Sequence, residues 1–217
     1  MLTKYEEKLI GINEMMVSLG EELVDANEAI LSGLKTGDYS AFKETKIALE
    51  SVQDDAALVD NQIVTTLALF SPEACDLKAM VSYLKITDAF VRAASNTKSF
   101  LKNFPAKMDG ELSMDIIMPN VILLQKSTTR ALKLAVGMLS EEDKSKMKEM
   151  CMEANMEEGK SDDLYSIIEK DLFVEMLNAK ELSQEYFETL SLVRKIEKIG
   201  DRAADIANLQ HDSCHNS

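Results

Sequence analysis

The stretch Arg194-Lys195-Ile196-Glu197-Lys198-Ile199-Gly200-Asp201-Arg202-Ala203-Ala204-Asp205-Ile206-Ala207 places apolar residues at steps of three and four. Ile196, Ile199, Ala203 and Ile206 therefore form one buried stripe of an α-helix. Glu197 and Asp201, four residues apart, share a different face of the same helix. Gly200 interrupts an otherwise strong helical pattern. A mid-helix glycine costs up to about 1 kcal/mol relative to alanine, so its presence predicts close approach by a neighbour or ligand. The pattern spans residues 180–210 and defines the last of a series of long helices.

The rest of the chain repeats this grammar. Leu9, Ile12, Met16, Leu19, Leu23, Ala26 and Ile30 mark a first helix that ends near Gly33 and Gly37. Leu49, Val52, Ala56, Val59 and Ile63 mark a second, which must stop near Ser71 and Pro72. A third is expected over residues 75–104, closed by Pro105. Its apolar positions Leu77, Met80, Val81, Leu84, Ile86, Phe90 and Val91 cover more than one stripe, as between two neighbours. A Met-Asp-Gly-Glu turn at residues 108–111 follows. Val121, Leu124, Thr128, Ala131, Ala135 and Met138 form a fourth helix entered at Pro119. Ser140, followed by Glu141, Glu142 and Asp143, reads as the cap of a fifth that reaches Leu177.

Three long helices, a hinge and three more predict an all-α protein of two tandem three-helix bundles. The bundles would occupy residues 1–107 and 112–210 and arise by internal duplication. Residues 211–217, which carry His211 and His215, read as a disordered tail rather than a metal site. Composition agrees: the 217 residues include 8 Gly, 3 Pro and no Trp, and 46% are apolar. That is enough for a core and rich in helix formers.

Charge and cysteine usage narrow the function classes. Against 24 Lys+Arg stand 38 Asp+Glu, a net charge of −14, which argues against a nucleic-acid binder. It suits cations or basic partner surfaces. The longest apolar runs are far short of a membrane span, and no apolar signal core opens the chain. Cys75, Cys151 and Cys214 are odd in number and far apart, which fits a reducing cytoplasm. The Met residues read chiefly as core filler, with Met147, Met150, Met152 and Met156 as an adaptable partner surface in the alternative.

The candidate chemistry lies in carboxylates spaced by four. Glu50 and Asp54 stand 108 residues before Glu158 and Asp162, and each pair is followed by a further acid, Asp55 or Asp163. Glu197 and Asp201 make a third pair. A single pair in so acidic a chain is ordinarily a solvated face. Two pairs on facing helices are different. At ~4 Å and an effective dielectric near 20, each like-charge contact costs on the order of 4 kcal/mol. A bound multivalent cation reverses that sign, and hard oxygen donors suit magnesium, calcium, manganese or iron.

The run over residues 194–207 closely resembles the C-terminal signature of the PhoU family of phosphate-uptake regulators. So does Ser71-Pro72-Glu73-Ala74-Cys75-Asp76-Leu77-Lys78, with Tyr83-Leu84-Lys85-Ile86, at the start of the third helix. The resemblance implies two tandem three-helix bundles, each able to hold a multinuclear metal cluster through acidic motifs on its second and third helices. Glu158, Asp162, Glu197 and Asp201 would then be ligands in the second bundle, and Glu50 and Asp54 in the first. The metal would be iron, manganese, magnesium or zinc. The positions 106 residues before Glu197 and Asp201 hold Val91 and Ser95, so a full cluster is not expected in the first bundle. Asp55, Asp88, Asp163 and Asp205 are weaker candidates. The family's Arg after the last Glu is Lys198 here, a mild change for a solvent-facing side chain.

The same resemblance implies a non-enzymatic, cytoplasmic negative regulator of phosphate transport and signalling. Its partners would be the ATPase of a phosphate ABC transporter and a phosphate-sensing histidine kinase. Membrane association would be peripheral, through those partners, and self-association as a homodimer is compatible. Two alternatives are a PhoU-like regulator of another transporter and a carboxylate-bridged metalloenzyme. The metalloenzyme is disfavoured by the lack of Glu-x-x-His on any core helix.

Overall fold

The computed structural model describes residues 2–72, 74–108 and 112–214. Seven α-helices occur in chain order: α1 (Leu2–Thr36), α2 (Phe42–Ala48), α3 (Val52–Phe70), α4 (Ala74–Met108), α5 (Met118–Gly137), α6 (Lys144–Asn178) and α7 (Ser183–Cys214). Single 3-10 turns at Met138–Ser140 and Lys180–Leu182 precede α6 and α7. No strand occurs among the described residues. The protein is all-α, with six long helices in two sets of three: α1, α3 and α4, then α5, α6 and α7.

The apolar stripes read from sequence point inward. Ile12, Met16, Leu19, Leu23, Ala26 and Ile30 of α1 are buried, as are Ile196, Ile199, Ala203 and Ile206 of α7. Each fully buried aliphatic side chain of this kind contributes about 1.5–3 kcal/mol of transfer free energy. The stripes merge into one continuous core. α1 lies along α5 and α4 along α7, while α3 flanks α1 and α4, and α6 flanks α5 and α7. First helix therefore meets first helix, and third meets third, across the junction of the two sets.

That junction is tied by polar as well as apolar contacts. The Gln125 side-chain amide donates to Asn27 Oδ1 (3.1 Å) and to Thr129 Oγ1 (3.1 Å), and Asn27 Nδ2 donates to Thr97 Oγ1 (3.3 Å). All four residues are buried, so the network links α1, α4 and α5 where water cannot compete. Asn13 donates to the Leu139 carbonyl at 3.0 Å, and Lys133 pairs with Glu28. At Gly20 a Cβ would fall 2.7 Å from a Val136 methyl and 3.2 Å from the Phe90 ring, so α1 and α5 touch here through glycine.

Several boundaries depart from the sequence expectation. The second helix is broken: α2 ends at Ala48 and α3 begins at Val52, with Leu49–Ser51 forming a turn. Leu49 and Val52 are both buried, so the break keeps the core stripe while changing the register of everything polar around it. Pro105 does not close the third helix, because α4 continues to Met108 with Pro105 inside its last turn. Only one amide bond is lost there, and the stacked Phe100 and Phe104 rings, 4.6 Å apart, hold that turn to the core. Leu77 and Val81 of α4 are exposed, which narrows the predicted double stripe. The cap of α6 is Asp143, whose Oδ1 accepts from the amides of Ser145 (2.8 Å) and Lys146 (3.2 Å), and not Ser140.

The expected tail is also corrected. Helix α7 runs through Cys214, so residues 211–214 are helical, and His211 sits half-buried on its last turns. Residues 215–217, including His215, lie outside the described residues, as do residues 109–111 of the expected turn. No described helix is long and apolar enough to cross a membrane. Met147 packs in the core, while Met152 and Met156 are exposed on α6.

Candidate metal centre

The carboxylates of interest are brought together by the approach of α6 to α7. Gly200 marks the crossing. A Cβ built there would meet Thr128 Oγ1 at 3.4 Å and Ser161 Oγ at 3.5 Å, ordinary contact distances. Thr128 and Ser161 hydrogen-bond each other at 3.3 Å, and the Thr128 hydroxyl donates to the Ile196 carbonyl at 3.3 Å. Small side chains on α5 and α6 thus seat α7 closely, and the residues flanking Gly200, one turn apart, come to face α6. The glycine is compatible with the approach without being required by it.

Glu158 and Asp162 from α6 and Asp201 from α7 each offer a carboxylate oxygen within 4.8 Å of the other two. Glu197, the fourth predicted ligand, stands outside that trio, near enough for its charge to act on Glu158, and is 9% exposed. Its Oε1 accepts from the Lys198 ammonium at 3.1 Å, whereas its Oε2 is buried with no hydrogen-bond partner. A carboxylate oxygen in that state is costly, by about 1–3 kcal/mol or more, unless a ligand satisfies it. Burial, and then the charges of Asp162, Asp201, Glu197 and Asp205, push the Glu158 carboxyl above the usual glutamate range. Burial pushes Glu197 the same way, opposed by the Lys198 hydrogen bond and reinforced by Asp201 and Asp162. The four acids therefore feel one another, and the bare cluster is electrostatically unfavourable.

Lys198 is not simply solvent-facing. Its ammonium donates to Asp201 Oδ2 at 2.6 Å as well as to Glu197, and the bond to Asp201 holds its own pKa up. Sequence reasoning missed this residue because a lysine between two acids reads as surface decoration. It also missed Glu157, buried on α6 and paired with Lys160 at 2.7 Å and Arg130 at 3.6 Å.

The weaker candidates separate. Asp205 pairs with Arg202 at 2.7 Å and Asp163 is exposed, so neither is drawn into the group. In the other half, Glu50 lies in the turn between α2 and α3 and pairs with Lys46 at 3.5 Å. The predicted one-turn clamp of Glu50 with Asp54 therefore has no continuous helix beneath it. Asp54 is exposed, and Asp88 pairs with Arg92 at 2.8 Å. Val91 is half-buried and Ser95 exposed. Asp55 instead lies near Glu22 of α1, whose carboxyl is raised by burial and then by the Asp55 charge. That cross-helix pair was not legible in four-residue spacing.

A domain comparison gives this geometry a context. Residues 121–209, which include Glu158, Asp162, Glu197 and Asp201, match the family model of the PhoU domain. That match lies wholly within the C-terminal half of the chain. The chain as a whole has the PhoU fold: the crystal structure of PhoU from Pseudomonas aeruginosa superposes with a TM-score of 0.83 at 15% identity, covering 98% of this chain and 100% of that one. The phosphate transport system regulatory protein PhoU from Streptococcus pneumoniae superposes with a TM-score of 0.77 at 13% identity, covering 95% and 94%. No match is found among curated proteins.

The donor set fits a hard cation. All three converging donors are carboxylate oxygens, which suits magnesium, manganese or iron better than a soft thiophilic metal. When bound, such an ion would supply positive charge that neutralises the acidic face and links α6 to α7. The chain's own residues do the rest: Ser161, Thr128 and Gly200 seat α7 against α5 and α6, so that Asp201 comes within reach of Glu158 and Asp162.

Proposed function

We propose that this PhoU-fold chain is a non-enzymatic, cation-binding regulator of phosphate transport and phosphate signalling. The observations that carry the cation site are the convergence of Glu158, Asp162 and Asp201 and, close by, a buried, unpartnered oxygen on Glu197. The PhoU domain and the whole-chain likeness to a phosphate transport regulatory protein support the regulatory role. Cation binding converts a self-repelling surface between α6 and α7 into a rigid and less negative one. That surface would dock on the ATPase of a phosphate ABC transporter and on a phosphate-sensing histidine kinase.

Calorimetric titration of Mn²⁺, Mg²⁺ and Fe²⁺ into metal-free protein tests the site. Binding that is lost in Glu197→Ala, Asp201→Ala is expected, and binding unchanged by that pair of substitutions overturns it. Co-purification from native membranes and cytosol, with and without chelator, tests the partners. A second reading, regulation of a different transporter, draws on the absence of a matching acid cluster in the N-terminal half among the described residues. Recovery of a transporter ATPase other than that of phosphate uptake would favour it.

A further inference from the structure

The cation-binding reading of the acidic cluster leaves one positive group unexplained. Lys198 follows the buried Glu197 on α7, and its ammonium bridges the acids on either side of it, Asp201 one turn ahead at 2.6 Å and Glu197 at 3.1 Å. Other cations nearby are engaged elsewhere: Lys160 and Arg130 on Glu157, and Arg202 chiefly on Asp205. Lys198 alone among them holds two members of the cluster at hydrogen-bond distance. Its side chain is 38% exposed, so the ammonium has a path to water.

We infer that Lys198 is a resident counter-cation, which occupies the acidic face in the metal-free protein and must swing into solvent when a hard multivalent cation binds. The inference rests on the proposed cation site and specifies how that site is regulated. The ammonium partly offsets the repulsion among the four acids, which keeps the metal-free state folded and the gap between α6 and α7 closed. Lysine suits the task because its ammonium is a compact, strongly hydrated charge on a flexible stem. An arginine at this position would grip the two carboxylates as a planar fork and be harder to displace. Two consequences follow for the surface. Cation binding is weakened by the competition, so occupancy tracks cation concentration over a higher range. The released ammonium then projects from the same face, so the cation-bound and cation-free states differ in the position of a positive charge as well as in its amount.

The test compares full-length wild type with Lys198→Met, Lys198→Gln and Lys198→Arg by Mn²⁺ calorimetry, with bound Mn²⁺ counted independently by electron paramagnetic resonance. Both neutral variants should bind about tenfold more tightly than wild type, and Lys198→Arg more weakly, which is an order set by displacement of charge. Lys198→Gln serves should Lys198→Met fold poorly. Binding by the neutral variants but not by wild type supports the inference in its strongest form. Equal or weaker binding by both neutral variants, with wild type binding normally, overturns the inference and leaves the cation site standing. No binding by any of the four proteins overturns both. As a second readout, acylation of Lys198 relative to the exposed Lys148 should accelerate on adding Mg²⁺. An unchanged ratio under saturating Mg²⁺ overturns the swing.

Discussion

The two halves of the molecule use the same helices to different ends. In the C-terminal half, α6 and α7 run unbroken past each other and bring Glu158, Asp162 and Asp201 together, with Glu197 nearby, buried and with one oxygen unsatisfied. In the N-terminal half, the corresponding second helix breaks at Leu49–Ser51, Glu50 turns to Lys46, and Asp88 is held by Arg92. The core stripe survives the break because apolar packing tolerates a shift of register. The acidic clamp does not, because a chelating set needs each oxygen within a few tenths of an ångström. Two sets of three helices in the same order can thus differ in whether their acids converge.

The sharpest way to break this contrast is to remove acids from each half in turn. Glu197→Ala with Asp201→Ala should lower Mn²⁺ affinity by about 100-fold or more, a range that even the outer partners of a metal site can control. Glu50→Ala with Asp54→Ala should change it by less than about twofold, since exposed pairs contribute little. Calorimetry of both double variants decides the point, and equal losses would mean that the halves are functionally alike.

The glycines sharpen the comparison. Gly20→Ala should destabilise the protein by about 1–3 kcal/mol in urea denaturation, because the new methyl overlaps Val136 across the junction of the halves. Gly200→Ala should instead stabilise by about 0.5–1 kcal/mol, because its Cβ meets Thr128 and Ser161 at ordinary distances and helix propensity improves. A loss of stability at position 200 would show that the α6–α7 approach is tighter than described.

A pH series isolates the acidic face. Because the Glu158 carboxyl is raised in the folded chain, the folded state binds more protons than the unfolded one above the ordinary glutamate value of 4.5. Its ionisation therefore subtracts stability as pH rises through the raised value, and nothing below the ordinary one. Glu158→Gln should raise the melting temperature of metal-free protein at neutral pH. The gain should shrink as pH falls and vanish below about 4.5, the unfolded-state reference. A gain independent of pH would assign the effect to packing and not to charge. The smallest effect is expected at Asp163, where Asp163→Asn should leave cation affinity unchanged in the same titration, because the side chain is exposed and outside the group.

Much of this was legible before any coordinates. Long amphipathic stripes on α1, α5 and α7 announced themselves through three-and-four spacing, and every stripe residue named for α7 is buried. The pairs Glu158–Asp162 and Glu197–Asp201 were visible as shared faces of two helices. The failures were local. Ser140 and Asp143 compete for the same helix start, and only the backbone shows that Asp143 accepts the amides of Ser145 and Lys146. Pro105 reads as a stop, yet the packing of Phe100 and Phe104 carries the helix past it. Glu50 and Asp54 have the right spacing, but spacing presumes a helix that the turn at Leu49–Ser51 interrupts.

The sequence alone determined the helical class, the six long elements and the faces they bury, because periodicity and propensity act within single elements. It also marked which acids share a helical face. Tertiary structure decided which of those faces meet and that Glu197 is left with an unsatisfied oxygen. Those outcomes depend on distances between helices far apart in the chain, and such distances are set by side-chain packing at crossings like Gly200 against Thr128 and Ser161.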